Sequence, residues 1–377
     1  MANLPSNACA YPFKAAMLAN GTPATPCCKF HDRYLSEDDN KYVFKDIRET
    51  MLKNEWHKGC WKCKADEDSG HASMRTEADE FFNDFTDSIQ LEYLEITVGN
   101  LCNLACVGCG PEYSHTWDKD ARAIKLVTNE VLEHFSKNRE YDLDSLSMDQ
   151  LSHLKNMKVT GGEPFMHKQF LRFIKRLVDS GIAPNIDIEI FTNCTYWPAK
   201  MNLDYLLEFN NLRVTNSIDA VGGLNDILRH PSKFPDIETV LKKWAELGTK
   251  YDKVEVFVAC TVGALNAPVL IDLMKWARFD IGVQIMLQTI HEPDWLSIAH
   301  QTDTYKNNLR TMVEEQYKDC HWKLKKAYTL LISLCKTNNA EDNSEIYLDQ
   351  MNTLFDLRNN NAEEYIQGYK KLLNERY

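Results

Sequence analysis

The run Leu94-Glu95-Ile96-Thr97-Val98 alternates apolar and polar side chains and ends at Gly99-Asn100, so it reads as a β-strand that delivers the chain into a loop. That loop carries Cys102, Cys106 and Cys109 in the spacing C-x3-C-x2-C. Three thiolates this close cannot pair off among themselves as disulfides. Soft sulfur donors suit an iron–sulfur cluster, and three of them on a four-iron cluster leave one iron open to a ligand that is not protein. With His115 as fourth donor the same cysteines read instead as a zinc knuckle.

A second motif bears on the choice. Lys158-Val159-Thr160 is a short strand running into Gly161-Gly162-Glu163-Pro164. Two glycines let the backbone approach a ligand closely, and the carboxylate and carbonyls of such a turn accept hydrogen bonds from an ammonium group.

In this order, the cysteine motif after one strand and Gly-Gly-Glu-Pro after the next, the sequence resembles the radical S-adenosylmethionine (SAM) enzymes. The resemblance implies a 4Fe-4S cluster on Cys102, Cys106 and Cys109 whose open iron binds the amino and carboxylate groups of SAM. It also implies that Gly161, Gly162, Glu163 and Pro164 hold the SAM amino group. One position departs from the family pattern: many members carry an aromatic residue before the third cysteine, where this chain has Gly108, leaving Tyr113 or Trp117 to take its place.

Charge and cysteine usage set the compartment and partners. The chain has 377 residues, with 43 Lys+Arg against 55 Asp+Glu and a formal charge of −12, which argues against a broad nucleic-acid or anionic-membrane footprint. No apolar run approaches a bilayer's span, and the first residues lack a basic segment followed by a hydrophobic one, so a cytoplasmic protein is expected. Twelve cysteines in a reducing compartment are metal ligands and buried thiols before they are disulfides.

Three regions are expected. Residues 1–90, broken by Pro5, Pro12, Gly21, Pro23 and Pro26, carry Cys9, Cys27-Cys28 and Cys60-Trp61-Lys62-Cys63. This pattern resembles the Twitch auxiliary-cluster module of some radical SAM enzymes, placed before the barrel where most relatives place it after. The resemblance implies that Cys9, Cys27, Cys60 and Cys63 ligate a second 4Fe-4S cluster, with Cys28 a neighbour or a substitute for Cys27; a structural zinc site is the alternative reading of the same four thiolates. The segment from Glu67 to Arg75 then leads into a helix over about 75–88, its charges read as joining module to barrel or as a solvated helix start.

From 91 to 295 strands alternate with helices, the signature of a parallel α/β sheet or barrel. Strands are expected near 92–98, 156–160, 186–192, 212–218, 253–260 and 281–288, and helices near 114–136, 167–180, 200–209, 236–248 and 267–278. Six strands suit the partial (β/α)6 TIM-like barrel of the radical SAM family. Residues 296–377, rich in Lys, Glu, Asn and Leu, read as two or three amphipathic helices that cap the barrel or bind substrate, with Lys323-Leu324-Lys325-Lys326 as a solvated face.

Ligands of parallel α/β folds sit at the carboxyl ends of strands. There the resemblance points to Thr192 and Asn193 near the SAM ribose, Ser217 as a hydroxyl donor to SAM and Arg229 as the guanidinium for its carboxylate, while Asp219 faces the same mouth and orients substrate. Thr261 to Asn266 line the adenine side, and Gln284 to Thr289 with His291 to Ile298 close the series. Cys260 and Cys194 are either buried small residues or thiols that return a hydrogen atom.

The expected chemistry is reductive cleavage of SAM to a 5′-deoxyadenosyl radical that abstracts a hydrogen atom from a peptide or protein side chain, giving oxidation, crosslinking or epimerisation. A flavodoxin or ferredoxin would supply the electron. The rival readings are the same oxidoreductase chemistry on a small metabolite such as a sugar or nucleotide derivative, and a non-enzymatic protein stabilised by zinc.

Overall fold

The computed structural model describes residues 5–19, 24–30, 44–82, 87–137, 139–290, 292–336, 341–360 and 362–374. Seven strands follow one another along an open sheet in the order of the sequence: β1 (Ala15–Ala19), β2 (Tyr93–Thr97), β3 (Asn156–Thr160), β4 (Asp187–Thr192), β5 (Asn211–Ser217), β6 (Val254–Val262) and β7 (Gln284–Thr289). The α/β class and the unclosed parallel barrel are as expected from the sequence, and all six expected strands are present; among the described residues a seventh, β1, precedes them. The strand that sequence reasoning missed, β1, reads Ala-Ala-Met-Leu-Ala, a composition that favours helix; parallel pairing with β2, from Ala15 opposite Tyr93 to Ala19 opposite Thr97, overrides the local preference.

The chain divides into two compact units. The first comprises Met1–Gly99, Asn138–Ile190 and Ala199–Leu212. Its parallel strands keep a strict period of two: Leu94, Ile96, Met157, Val159, Ile188 and Ile190 are buried on one face, while Glu95, Thr97, Lys158, Thr160 and Glu189 on the other are only half-buried. Parallel sheets are ordinarily apolar on both faces, and this half-buried polar face, with Lys158 and Glu95 paired at 3.1 Å, departs from that pattern. The helix Lys168–Asp179 buries Phe170, Phe173, Ile174 and Leu177, an i, i+3, i+4, i+7 stripe in which each side chain contributes about 1.5–3 kcal/mol of burial.

Among its described residues the region read as irregular contains, besides β1 and the expected helix, α-helices at Tyr11–Lys14, Lys45–Leu52 and Trp61–Asp68. The helix expected over 75–88 is shorter, Met74–Phe81, opened by a capping box in which Ser73 and Thr76 satisfy each other's backbone N–H groups. Its expected last turn overlaps residues 83–86, which lie outside the described ones. Glu67 and Arg75 are not a solvated start. Two bonds of 2.8 and 2.7 Å join them, Ser73 donates to Glu67 at 2.6 Å, and Arg75 Nη1 reaches the carbonyl of Ala8 at 3.2 Å.

The second unit comprises Asn100–Lys137, Phe191–Pro198 and Arg213–Tyr377. In it β6 and β7 pair in parallel, Phe257 opposite Gln284, and Ile218 at the end of β5 donates to the Ala259 carbonyl at 2.9 Å. The helix expected over 114–136 is broken: one helix stops at Ala123, Lys125 turns to φ +53°, and a new helix starts at Asn129 after Thr128, whose hydroxyl accepts from the Val131 N–H. The segment expected as one helix near 267–278 changes pitch, α from Leu270 to Lys275 and π from Trp276 to Ile281. Among the described residues the extension forms four α-helices, not two or three: Asp303–Gln316, Lys325–Cys335, Ser344–Arg358 and Glu363–Leu373. They meet around Tyr305, Tyr347 and Tyr369, with the last two rings stacked at 4.2 Å, and the Tyr305 hydroxyl donates to the carbonyl of Ala264 just beyond β6. Within the expected basic patch, Lys323, Lys325 and Lys326 are exposed and Leu324 is buried.

Candidate functional site

In the second unit the loop from Asn100 to Gly110 is braced almost residue by residue. Asn100 Nδ2 donates to the Pro111 carbonyl at 2.8 Å, and the Cys102 N–H donates to His115 Nδ1 at 3.2 Å. His115 therefore spends that nitrogen on the loop backbone. Ser114 and Thr116 both donate to the Leu104 carbonyl, and Trp117 Nε1 donates to the Cys106 carbonyl at 2.8 Å. From the other side, Ala105 N donates to His230 O at 2.6 Å and Val107 N to Leu228 O at 2.7 Å.

These bonds hold three thiols in mutual electrostatic reach. Burial pushes Cys106 up to about 11, opposed by Arg229 and reinforced by Cys102; burial and then the charges of Cys106 and Cys102 push Cys109 well above its ordinary value. Three thiols that oppose one another's ionisation, Cys102 buried and Cys106 and Cys109 half-buried, are a donor set completed by a cation, which is how the residues fit an iron–sulfur cluster. Among the described residues no three His, Cys, Asp or Glu side chains converge closely enough to hold one metal ion. Thiols on a polynuclear cluster stand farther apart than those on a single ion, whose Zn–S bonds are about 2.3 Å.

Asn193 Nδ2 lies 3.6 Å from Cys102 Sγ and donates to Asn103 Oδ1 at 2.8 Å, and Thr192 Oγ1 accepts from the Cys194 N–H at 3.2 Å. Both residues are buried, so their polar atoms face the cysteine loop and the local turn. Arg229 Nη1 donates to Asp219 Oδ2 at 2.8 Å, while Asp219 Oδ1 accepts from the Thr261 N–H at 2.9 Å. Burial works against the Arg229 charge, but Cys106 and Asp219 together outweigh it and raise its pKa.

Two asparagines build this corner: Asn225, which sequence reasoning missed, and Asn266, which it placed on the adenine side. Asn225 Oδ1 accepts from the Asp219 N–H at 3.1 Å, and Asn266 donates to the carbonyls of Asp219 and Thr261 at 2.9 and 3.1 Å. Their only sequence signal is a place shortly after a strand end. Asp219, Thr261, Gly263 and Asn266 line a pocket of about 360 Å³, open to solvent, with Gly108 and Ile290. A Cβ on Gly108 would stand 3.1 Å from Ile290 Cδ1, so the missing aromatic side chain leaves space that Ile290 approaches. Trp117 is 1% exposed, under the loop; Tyr113 is 46% exposed. Cys194 and Cys260 are fully buried, their thiols directed to the carbonyls of Ile237 (3.5 Å) and Asp219 (3.7 Å). Ser217 closes β5 half-buried. His291 lies outside the described residues.

In the first unit the Gly-Gly-Glu-Pro turn is shaped by close approach. Gly161 has φ +118°, and a Cβ there would stand 2.8 Å from the Gly99 carbonyl oxygen; the Gly162 N–H donates to that same oxygen at 2.8 Å. Glu163 is fully buried and caps the turn, its Oε1 accepting from the Phe165 N–H at 3.2 Å, with Pro164 next in a short 3-10 turn.

The amino-terminal cysteines form the second thiol group. Cys9, Cys27, Cys60 and Cys63 line one pocket of about 380 Å³, part of it open to solvent, walled by Tyr11 and Trp56. Burial, then the other thiols, pushes Cys27 up to about 12 and Cys9 well above its ordinary value; burial and then Cys63 push Cys60 to about 12. Cys28 is exposed, and after burial its strongest electrical neighbours are Glu95 and Lys158.

No family model matches the chain. It is 30% identical over 131 residues to a GTP 3′,8-cyclase of Sulfurimonas denitrificans, covering 35% of this chain and 36% of that one. It is 26% identical over 234 residues to a probable GTP 3′,8-cyclase of Methanocaldococcus jannaschii, covering 61% and 67%. These likenesses support a place in the radical SAM superfamily. Among solved structures, native anSMEcpe with bound AdoMet overlaps 60% of the chain, and 60% of its own, at 19% identity and a TM-score of 0.39. Radical SAM membership implies a 4Fe-4S cluster and SAM. Among the described residues no helix is long and apolar enough to cross a membrane.

Proposed function

We propose that this radical SAM protein is an enzyme whose catalytic cluster is held by Cys102, Cys106 and Cys109. The observation that carries the reading is the C-x3-C-x2-C loop itself, with three thiols in one electrostatic group and backbone fixed by His115, Trp117 and the 228–230 segment. When bound, the cluster and SAM supply a hydrogen-abstracting radical.

The chain's own residues do the holding. Gly161 and Gly162 let the turn approach the SAM amino group, with Glu163 and Pro164 fixing its shape; Asp219 keeps the Arg229 guanidinium in place for the SAM carboxylate. Ser217, Thr192 and Asn193 serve the ribose side, Asn193 also steadying Cys102. Asp219 faces the pocket that Gly108 and Thr261 line, where it orients substrate. Cys260 and Cys194 remain the candidate hydrogen-atom donors, and buried as they are, their use requires the surrounding strand ends to part.

Cys9, Cys27, Cys60 and Cys63 are proposed to hold a Twitch-like auxiliary 4Fe-4S cluster, which would supply an electron acceptor; four thiols around one pocket support it. Flavodoxin or ferredoxin is the proposed reductant, and the cytoplasm the compartment. For substrate, a peptide or protein side chain is the first reading. The relatives' name, GTP 3′,8-cyclase, favours the second, a small nucleotide-type metabolite. Incubating the reconstituted, reduced enzyme with SAM and either GTP or peptides encoded by neighbouring genes decides between them: consumption of GTP supports the second, a mass change in a peptide the first.

A further inference from the structure

The carboxyl-terminal extension reaches the cysteine loop through one side chain. Arg358 ends the helix Ser344–Arg358, where a cation ordinarily lies in water and offsets the helix dipole. Here its side chain is 2% exposed. Its Nε donates to Asp120 Oδ2 at 2.8 Å across 238 residues of sequence, and its guanidinium carbon lies 4.9 Å from the centre of the Trp117 ring. Trp117 in turn donates its indole N–H to the Cys106 carbonyl at 2.8 Å. A contiguous series therefore runs from the extension to the second cysteine.

Two further observations single out this arginine. Its Nη1 and Nη2 are buried and have no hydrogen-bond partner among the described residues, a costly state for a cation unless an acceptor or a negative charge is supplied. The ring it lies against is also the one bonded to the Cys106 carbonyl, which puts its charge one side chain away from that loop. Asp120 meets the guanidinium only through Nε, and burial, then Arg358 itself, lowers the His230 pKa.

We propose that Arg358 is a positioning residue for the cluster: it fixes Trp117, and so the Cys106 peptide, and supplies buried positive charge that eases one-electron reduction of the cluster on that loop. This rests on the reading that Cys102, Cys106 and Cys109 hold the cluster. Buried charge and hydrogen bonding near the sulfurs are what set such potentials. The extension is then part of the redox site and not a separable cap.

The test uses the reconstituted full chain and the variants Arg358→Gln, Arg358→Lys and Trp117→Phe, each assayed for iron per chain, midpoint potential and the EPR spectrum of the reduced cluster. Arg358→Gln is expected to keep its iron and shift the potential negative. Arg358→Lys keeps the charge and is expected to stay near the wild-type potential, and Trp117→Phe, which frees the Cys106 carbonyl, to change the EPR spectrum. An iron-loaded Arg358→Gln with the wild-type potential overturns the proposal. Should that variant fail to load, Arg358→Lys and Trp117→Phe decide: a wild-type spectrum and potential in both overturns it, a changed spectrum in Trp117→Phe upholds it. Wild type without iron would instead sink the cluster reading beneath it.

Discussion

The Gly162 N–H donates to the carbonyl oxygen of Gly99 at 2.8 Å, which joins the Gly-Gly-Glu-Pro turn to the residue that stands three places before Cys102 in the chain. The contact leaves no room for a side chain on Gly161, whose Cβ would meet that same oxygen at 2.8 Å with φ at +118°. Gly161→Ala is therefore expected to cost about 1–3 kcal/mol of stability through backbone strain. It should also weaken SAM binding about tenfold or more, ~1.4 kcal/mol. Thermal unfolding and equilibrium dialysis with labelled SAM measure the two effects.

Asp219 holds Arg229 at 2.8 Å, and both side chains are nearly enclosed, 13% and 11% exposed. Asp219→Asn leaves a buried cation without its counter-charge, and the expected loss is about 3 kcal/mol or more in urea unfolding. Asp219→Asn combined with Arg229→Gln should recover part of that loss, since the stranded charge is gone.

How much of this was legible beforehand differs between fold and site. Strand β3 falls where the alternation around Val159 puts it, and both motifs lie just beyond strand ends, because period-two patterning and glycine turns are local properties of sequence. Strand β1 was hidden because Ala-Ala-Met-Leu-Ala is a helix-favouring string that only pairing with β2 makes extended. The cysteines could be found from their spacing. The bonds that brace the site could not: Asn266 and Arg358 act on Asp219 and Trp117 from 47 and more than 200 positions away, and no local pattern marks an asparagine or arginine as a brace.

The Glu67–Arg75 pair gives a pH signature for the amino-terminal module. Bonds from Arg75 hold the Glu67 carboxyl below its ordinary pKa, with Ser73 helping and burial opposing. A depressed folded-state pKa contributes stability that is fully present above the unfolded value, about 4.3 for Glu, and is lost as pH falls through the lower folded value. On acidification below that unfolded value, wild type should lose melting temperature faster than Glu67→Gln, whose stability carries no such term. Identical acid slopes would contradict it.

Replacing Cys9 or Cys63 by Ala should remove one cluster and leave the other. Iron per chain in anaerobically reconstituted protein would then fall from about eight to about four, since each 4Fe-4S cluster carries four irons. Four zinc-binding thiols would instead give wild type about four irons, with zinc released on chelation.

The most direct measure of the role of Cys102, Cys106 and Cys109 is 5′-deoxyadenosine formed from SAM by the reconstituted, dithionite-reduced protein. Wild type is expected to produce it and Cys106→Ala to produce none. Equal amounts from both, or none from an iron-loaded wild type, would contradict the central assignment.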